Sequence, residues 1–185
     1  MKLNLGCGNA KLSDWINVDI NPDADVITDF RNGLPFNDNT FQFIYSEHVL
    51  EHFSYPEAQM ILRECYRVLS DQGVMRIAMP DLDYLIRKYG SDWKNQEWLS
   101  WAEYDFIKTK GQMMNIVFSW WGHKYLYNEE DLNNQLEIAG FPDPERMNWS
   151  VSHFPELCCL ETRKDSKLII EVIKKIRLPA APDTI

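Results

Sequence analysis

The chain has 185 residues, 45% of them hydrophobic, and a formal net charge of −9. That length sustains a single domain with its own core, and no apolar run approaches the roughly 18 residues of a membrane span. The acidic balance repels a phosphate backbone, so nucleic acid is not an expected partner and a cationic small ligand is mildly favoured. Cys7, Cys65, Cys158 and Cys159 form neither a C-x-x-C pair nor a disulfide framework, which suits a reducing compartment. The N-terminal stretch Met1-Lys2-Leu3-Asn4-Leu5-Gly6 has no apolar signal region, and the expected location is the cytoplasm.

In chain order, residues 2–5 read as a strand ended by Gly6-Cys7-Gly8. Residues 15–19 alternate and read as a second strand, residues 25–28 as a short third. Asn32-Gly33-Leu34-Pro35 and Asn37-Asp38-Asn39 carry turn chemistry, and residues 41–45 form an apolar, aromatic fourth strand. Ser54 and Glu57 spell a capping box, with Pro56 tolerated in the first turn. Ala58, Ile61, Leu62, Cys65, Val68 and Leu69 then give a helical apolar stripe, and Gly73 is read as the helix breaker. Residues 74–79 predict a strand stopped by Pro80. Asp81 caps a helix with Leu82, Leu85, Ile86 and Tyr89 on one face, closed by Gly90.

Residues 91–127 change character, mixing Trp93, Trp98, Trp101, Trp120 and Trp121 with tyrosine and phenylalanine. They are expected to form a mostly helical insert. Asn128 caps a last helix over 129–139, ended by Gly140, and two strands are expected near 146–152 and 167–173. The expected organisation is one domain over residues 1–177, with 91–127 as an insert or substrate lid and 178–185 as a flexible tail. Strands alternating with helices predict an α/β fold with a mostly parallel sheet. In such sheets ligands bind beyond the carboxyl ends of the strands, near the point where strand order reverses.

The glycine loop Gly6-Cys7-Gly8 stands at such an end. Glycine there lets backbone approach a ligand. A dinucleotide fingerprint would place a third glycine where Lys11 stands, and an acid about 20 residues on. Asp19 comes much sooner, and only about one helical turn fits between the two strands. This disfavours a nicotinamide oxidoreductase and suits a nucleoside ligand without phosphates. Asp19, ending strand two, can accept both hydroxyls of a ribose. Asp29, ending strand three, can accept from an exocyclic amine such as adenine N6, and Phe30 beside it offers an apolar face.

The segments LNLGCGNAKLSDWINVDI, DFRNGLPFNDNTFQFIYSEHVLEHF, RECYRVLSDQGVMRIAMPD and YLYNEEDLNNQLEIAGF resemble, in order, the small class I (Rossmann-like) S-adenosylmethionine-dependent methyltransferases of type 11. The resemblance implies a three-layer sandwich around a seven-stranded sheet in the order 3-2-1-4-5-7-6, strand seven antiparallel. It implies S-adenosylmethionine as cofactor, with Gly6 and Gly8 under the methionine part, Asp19 at the ribose, and Asp29 and Phe30 at adenine. Ser46 and Glu47 would face the methionine moiety and the transferable methyl. Cys7, Ile20 and Asn4 complete the candidate cofactor set, although relatives often carry an acid where Asn4 stands. The chain also has Gln42 in place of a frequent Asp, and Ser70-Asp71-Gln72 in place of a Lys-Pro-Gly turn.

The implied reaction is methyl transfer to an oxygen or nitrogen of a small-molecule acceptor, such as a sugar or a secondary metabolite. His48 is the first candidate base and His123 the second. The tryptophans could stack on an acceptor, but core packing within the insert is the favoured reading. Two other readings compete. One is a cofactor-binding protein without catalysis. The other is a zinc hydrolase, since residues 46–53, SEHVLEHF, fit H-x-x-E-H through His48, Glu51 and His52. A strand directly before and Ser54 and Pro56 directly after leave only a turn or two of helix there, so no metal site is expected.

Overall fold

A computed structural model describes residues 1–175; the expected tail, 178–185, lies outside the described residues. Seven strands form one sheet: β1 (Lys2–Leu5), β2 (Ile16–Asp19), β3 (Val26–Ile27), β4 (Phe41–Glu47), β5 (Leu69–Met79), β6 (Glu145–Arg146) and β7 (Leu168–Ile173). Their order is β3-β2-β1-β4-β5-β7-β6. β1, β2, β3, β4 and β5 pair in parallel, and β7 runs antiparallel to both β5 and β6. The expected class and strand order are those observed. Strand order reverses between β1, which leads on to β2, and β4, and both run through the buried middle of the sheet.

The main core lies between the sheet and two helices, α1 (Tyr55–Val68) and, near the C-terminal end, a helix over Glu129–Ala139. The α1 capping box forms as expected, with Ser54 N–H donating to Glu57 Oε2 at 2.8 Å. Its stripe of Ala58, Ile61, Leu62, Cys65 and Val68 is fully buried. The Glu129–Ala139 helix is capped by Asn128, whose side chain accepts from Asp131 N–H, and it ends at Gly140 in the left-handed conformation. Leu132 and Leu136 seal its inner face.

The opposite face of the sheet is covered differently. Trp15, Tyr45, Val74, Ala78 and Ile169 pack there under Met147, Phe154, Leu157 and Leu160. The covering layer is an irregular segment between β6 and β7 with one 3₁₀ turn at Pro155–Leu157. It is tied to the sheet through Arg76 of β5, which is fully buried. Arg76 pairs with Glu161 and Glu171, each at 2.5 Å. It also donates to the Val151 carbonyl at 2.8 Å.

Several local expectations are corrected. α1 passes straight into β5, so Gly73 lies inside a strand rather than ending a helix. Gly73 is required there because a Cβ would stand 2.8 Å from the Ser70 carbonyl oxygen. The strand expected over 146–152 shrinks to Glu145–Arg146. The helix capped by Asp81, α2 (Leu82–Gly90), buries only Leu85; Ile86 and Tyr89 are exposed. Leu85 joins the insert instead, packing with Trp98, Tyr104, Ile107, Met113, Ile116 and Val117. That insert is less helical than expected, with two 3₁₀ turns and a single α-helix, α3 (Lys110–Ser119), before the Glu129–Ala139 helix, α4. Its Trp121 donates to the Tyr104 hydroxyl at 2.7 Å and packs edge-on against Trp98.

Candidate functional site

A cavity of about 820 Å³ opens at the carboxyl ends of β1, β2 and β4. Its floor is the glycine loop. Gly6 has φ +71° and Gly8 φ +48°, left-handed values that favour glycine. The two glycines answer different demands. A Cβ on Gly6 would fall 2.3 Å from Val49 Cγ2, whereas one on Gly8 would meet nothing within 4 Å. Gly8 lines the cavity, so its bare face opens on the space a ligand would fill.

The loop is held from beneath by two buried asparagines. Asn4 Nδ2 donates to the Ala10 carbonyl and to Asn17 Oδ1, both at 2.9 Å. Asn17 Oδ1 also accepts from Leu12 N–H at 2.8 Å. These bonds replace the helix that a dinucleotide site would place here; the chain from Gly6 to Trp15 is turn and coil. Asp19 closes the arrangement, accepting from Gly8 N–H at 2.8 Å and Asn21 N–H at 2.9 Å. Each carboxylate oxygen has further acceptor capacity. Cys7 is buried beside it; burial, then the Asp19 charge, pushes its thiol up. Ile20, 71% exposed, forms part of the rim.

Asp29 and Phe30 line the same cavity. Asp29 caps a 3₁₀ turn at Phe30–Asn32, and its carboxylate is gripped by the Arg31 guanidinium and backbone N–H. The Arg31 side chain holds the Asp29 carboxyl below the usual range. Phe30 is buried and packs on Phe53.

At the end of β4 the alternation of a strand decides what faces the cavity. Tyr45 and Glu47 line it; Ser46, 1% exposed, does not. The Glu47 carboxylate receives Thr162 N–H and Oγ1–H, Arg163 N–H and Ser166 Oγ–H. It therefore clamps the segment between β6 and β7 across the cavity mouth.

His48 lies at the cavity but is 8% exposed, with φ +53°. Its Nε2 is 3.1 Å from Ser166 Oγ. That hydroxyl donates to Glu47, so it accepts from His48. His48 Nδ1 stands 3.4 Å from Glu51 Oε1. Burial pushes the His48 ring down and the Glu51 carboxyl up, which disfavours a charged pair between them. His123 does not line the cavity; it sits behind His52, ring centroids 5.1 Å apart, with Nδ1–H donating to the Val117 carbonyl at 2.7 Å. Residues 50–52 form a 3₁₀ turn, and His48 and His52 therefore do not share the helical face a zinc hydrolase pattern needs.

The structure adds residues that the sequence reading missed. Leu160, Thr162 and Arg163 also wall the cavity, and Lys124 joins from the chain ahead of α4. None carries a motif; only the fold brings them in. The insert tryptophans are absent from the cavity lining.

Residues 3–77 match the model of a family described as "Methyltransferase domain". No curated protein matches the chain. Among solved structures, the chain is similar to a SAM-dependent methyltransferase from Thermotoga maritima described as a possible histamine N-methyltransferase. The TM-score is 0.58 at 15% identity, over 94% of this chain and 82% of that one. It is also similar to a SAM-dependent methyltransferase from Archaeoglobus fulgidus, with TM-score 0.54, 19% identity, and 94% and 85% of the two chains covered. A third, from Methanosarcina mazei, gives 0.56 at 13% identity over 95% and 92%. Residues 3–77 thus match a methyltransferase domain whose cofactor is S-adenosylmethionine, and the chain has the class I, Rossmann-like methyltransferase fold.

Proposed function

We propose that the protein moves the methyl group of S-adenosylmethionine to an oxygen or nitrogen of a small-molecule acceptor bound in the same cavity. The observation that carries this reading is the pairing of Gly8 with Asp19. Gly8 leaves open space where a Cβ would stand, and Asp19 fixes the loop while keeping acceptor capacity on the cavity side. A ribose with both hydroxyls directed at Asp19 and a chain passing over Gly8 fits these groups. Asp29 and Phe30 take the adenine end, with Phe30 and Phe53 supplying apolar surface.

S-adenosylmethionine brings an activated methyl and its own leaving group. The residues of this chain have to align the acceptor and exclude water, and alignment of this kind supplies about 7–11 kcal/mol. The wall from Leu160 to Arg163, clamped by Glu47, closes one side of the cavity. Lys124 and Arg163 bring positive charge to that end and favour an acceptor with an acidic group. His48 acts in this reading as a positioning residue: both ring nitrogens face partners, Ser166 and Glu51.

One observation favours a second reading, a cofactor-binding protein without catalysis. Asp29, Glu47 and His48, which line the cavity, are each held by a protein partner. Two measurements decide. Calorimetry with S-adenosylhomocysteine is expected to show binding to wild type, a rise in melting temperature by mass action, and at least about a tenfold loss in Asp19→Ala, since about 1.4 kcal/mol is one decade. No binding to wild type would sink both readings. Labelled S-adenosylmethionine offered with hydroxylated and aminated small molecules then separates them, because turnover on any acceptor removes the second.

A further inference from the structure

Behind the cavity wall stands a cluster the methyl-transfer reading does not use. Glu51 is 1% exposed, and neither of its carboxyl oxygens accepts or donates a hydrogen bond among the described residues, the 3.4 Å approach of His48 Nδ1 to Oε1 being a contact only. Leaving a buried acceptor unmatched is costly, and such groups call for an explanation. Two histidines face it: one donor atom each from Glu51, His52 and His123 lie within 4.8 Å of one another.

The tautomer of His123 is set by backbone. His123 Nδ1–H donates to the Val117 carbonyl. His123 is thereby left with Nε2 as its lone-pair nitrogen. A ring N–H fixed on a backbone carbonyl is the arrangement that orients imidazoles as metal ligands. The His52 ring lies against the Gly122 turn, with Nδ1 standing 3.5 Å from where a Gly122 Cβ would be.

We propose that Glu51, His52 and His123 form a binding site for one first-row divalent transition metal, beside the cavity and separate from the cofactor's contacts. Two imidazoles and one carboxylate select zinc, cobalt, iron or manganese over the oxygen-loving magnesium and calcium. At metal–ligand distances of about 2.0–2.2 Å the donors close to about 3.3 Å from one another, so binding draws the three side chains in by about 1 Å. A cation there would give the buried Glu51 carboxylate a bonded partner. Three protein ligands leave a coordination position open, and His52 is the ligand that also lines the cavity. The set differs from the H-x-x-E-H pattern of the sequence: His48 turns its Nε2 to Ser166, and its place is taken by His123, distant in sequence.

The test reads metal rather than turnover, so it stands whether or not the methyl-transfer reading does. The full chain, freed of metal with a chelator, is titrated with Co²⁺ and followed by visible absorption, then with Zn²⁺ as competitor. One Co²⁺ per chain is expected, with visible bands that Zn²⁺ abolishes. Glu51→Gln and His123→Gln should each weaken binding at least tenfold, and His153→Gln, at an exposed site, should leave it unchanged. Because a core variant can unfold, wild type also carries a test without mutation: Zn²⁺ should shift the ring-proton resonances of His52 and His123 but not those of His153. Failure of wild type to take up Co²⁺, Zn²⁺ or Mn²⁺ at about 1 mM, or uptake that Glu51→Gln and His123→Gln leave intact, overturns the site.

Discussion

The two glycines of the loop should separate stability from binding. Gly6→Ala places a methyl 2.3 Å from Val49 Cγ2 and 3.2 Å from Val49 Cγ1 at φ +71°. A left-handed alanine costs about 1–2 kcal/mol, and overpacking a buried contact costs about 1–3 kcal/mol more. The sum is about 2–5 kcal/mol. Gly8→Ala meets nothing within 4 Å at φ +48°, so only the backbone part, about 1–2 kcal/mol, applies. Its methyl would stand in the cavity, however, and S-adenosylhomocysteine binding should fall by a factor of ten or more. Truncating the clashing partner sharpens the test. In a Val49→Ala background both γ-carbons are gone and the remaining approach is to Cβ at 3.3 Å. Gly6→Ala should then cost close to its backbone part, a coupling of about 1–3 kcal/mol between the two sites. Urea denaturation of the four proteins gives the cycle, and calorimetry gives the binding. Equal costs of Gly6→Ala in both backgrounds, within about 0.5 kcal/mol, would refute the contact as the reason for glycine at this position.

Two further outcomes follow from charges on either side of the sheet. Arg76→Met leaves Glu161 and Glu171 buried without their cation, and urea denaturation should show a loss of about 3–5 kcal/mol; a loss under about 1 kcal/mol would contradict the buried network. Asp25 is held down to about 2 by Lys11, then by the Asn17 backbone and side-chain N–H groups. A depressed folded pKa stabilises above the unfolded value of 3.8 and is lost as pH falls toward 2. Melting temperatures of Asp25→Asn should therefore decline less than wild type between about pH 4 and pH 2, and parallel curves would remove Asp25 from the acid response.

What the sequence revealed was what is local in it. The α1 capping box, the Asn128 cap and the Gly140 terminus are short-range patterns whose physics sits within a few residues, and each appears where expected. The loop Gly6-Cys7-Gly8 with Asp19 is local too, since the bond from Gly8 to Asp19 spans 11 residues. Exposure of Ile86 and Tyr89 escaped the reading because helical spacing marks a stripe but not whether another element covers it. Ser46 and Glu47 are adjacent in a strand and must face opposite ways, so only Glu47 reaches the cavity. The wall of the cavity was illegible for a different reason. Glu47 and Thr162 are 115 residues apart, and Arg76 and Glu161 are 85 apart. No periodicity carries such pairings, and the segment they hold has no regular structure to signal it.

That division has a consequence for how the site is built. The side that the proposed function gives to the cofactor lies in residues 4–31 together with Phe53, with the loop backbone fixed by Asn4, Asn17 and Asp19. The other side is drawn from Lys124 and residues 160–163, on an irregular segment. That segment is fastened at Glu47 above and Arg76 below. Side chains between those two fastenings can change without disturbing a hydrogen bond of the glycine loop. Acceptor choice under the proposed function therefore belongs to Leu160, Thr162 and Arg163, whereas cofactor affinity belongs to Gly8 and Asp19. The cluster of Glu51, His52 and His123 touches the cavity through His52 alone, and it is linked to the chain ahead of α4 by Lys124 and Tyr125 N–H groups donating to the Glu51 carbonyl. Occupation of that cluster would thus stiffen the backbone that presents Lys124, and reach the acceptor side without touching the glycine loop.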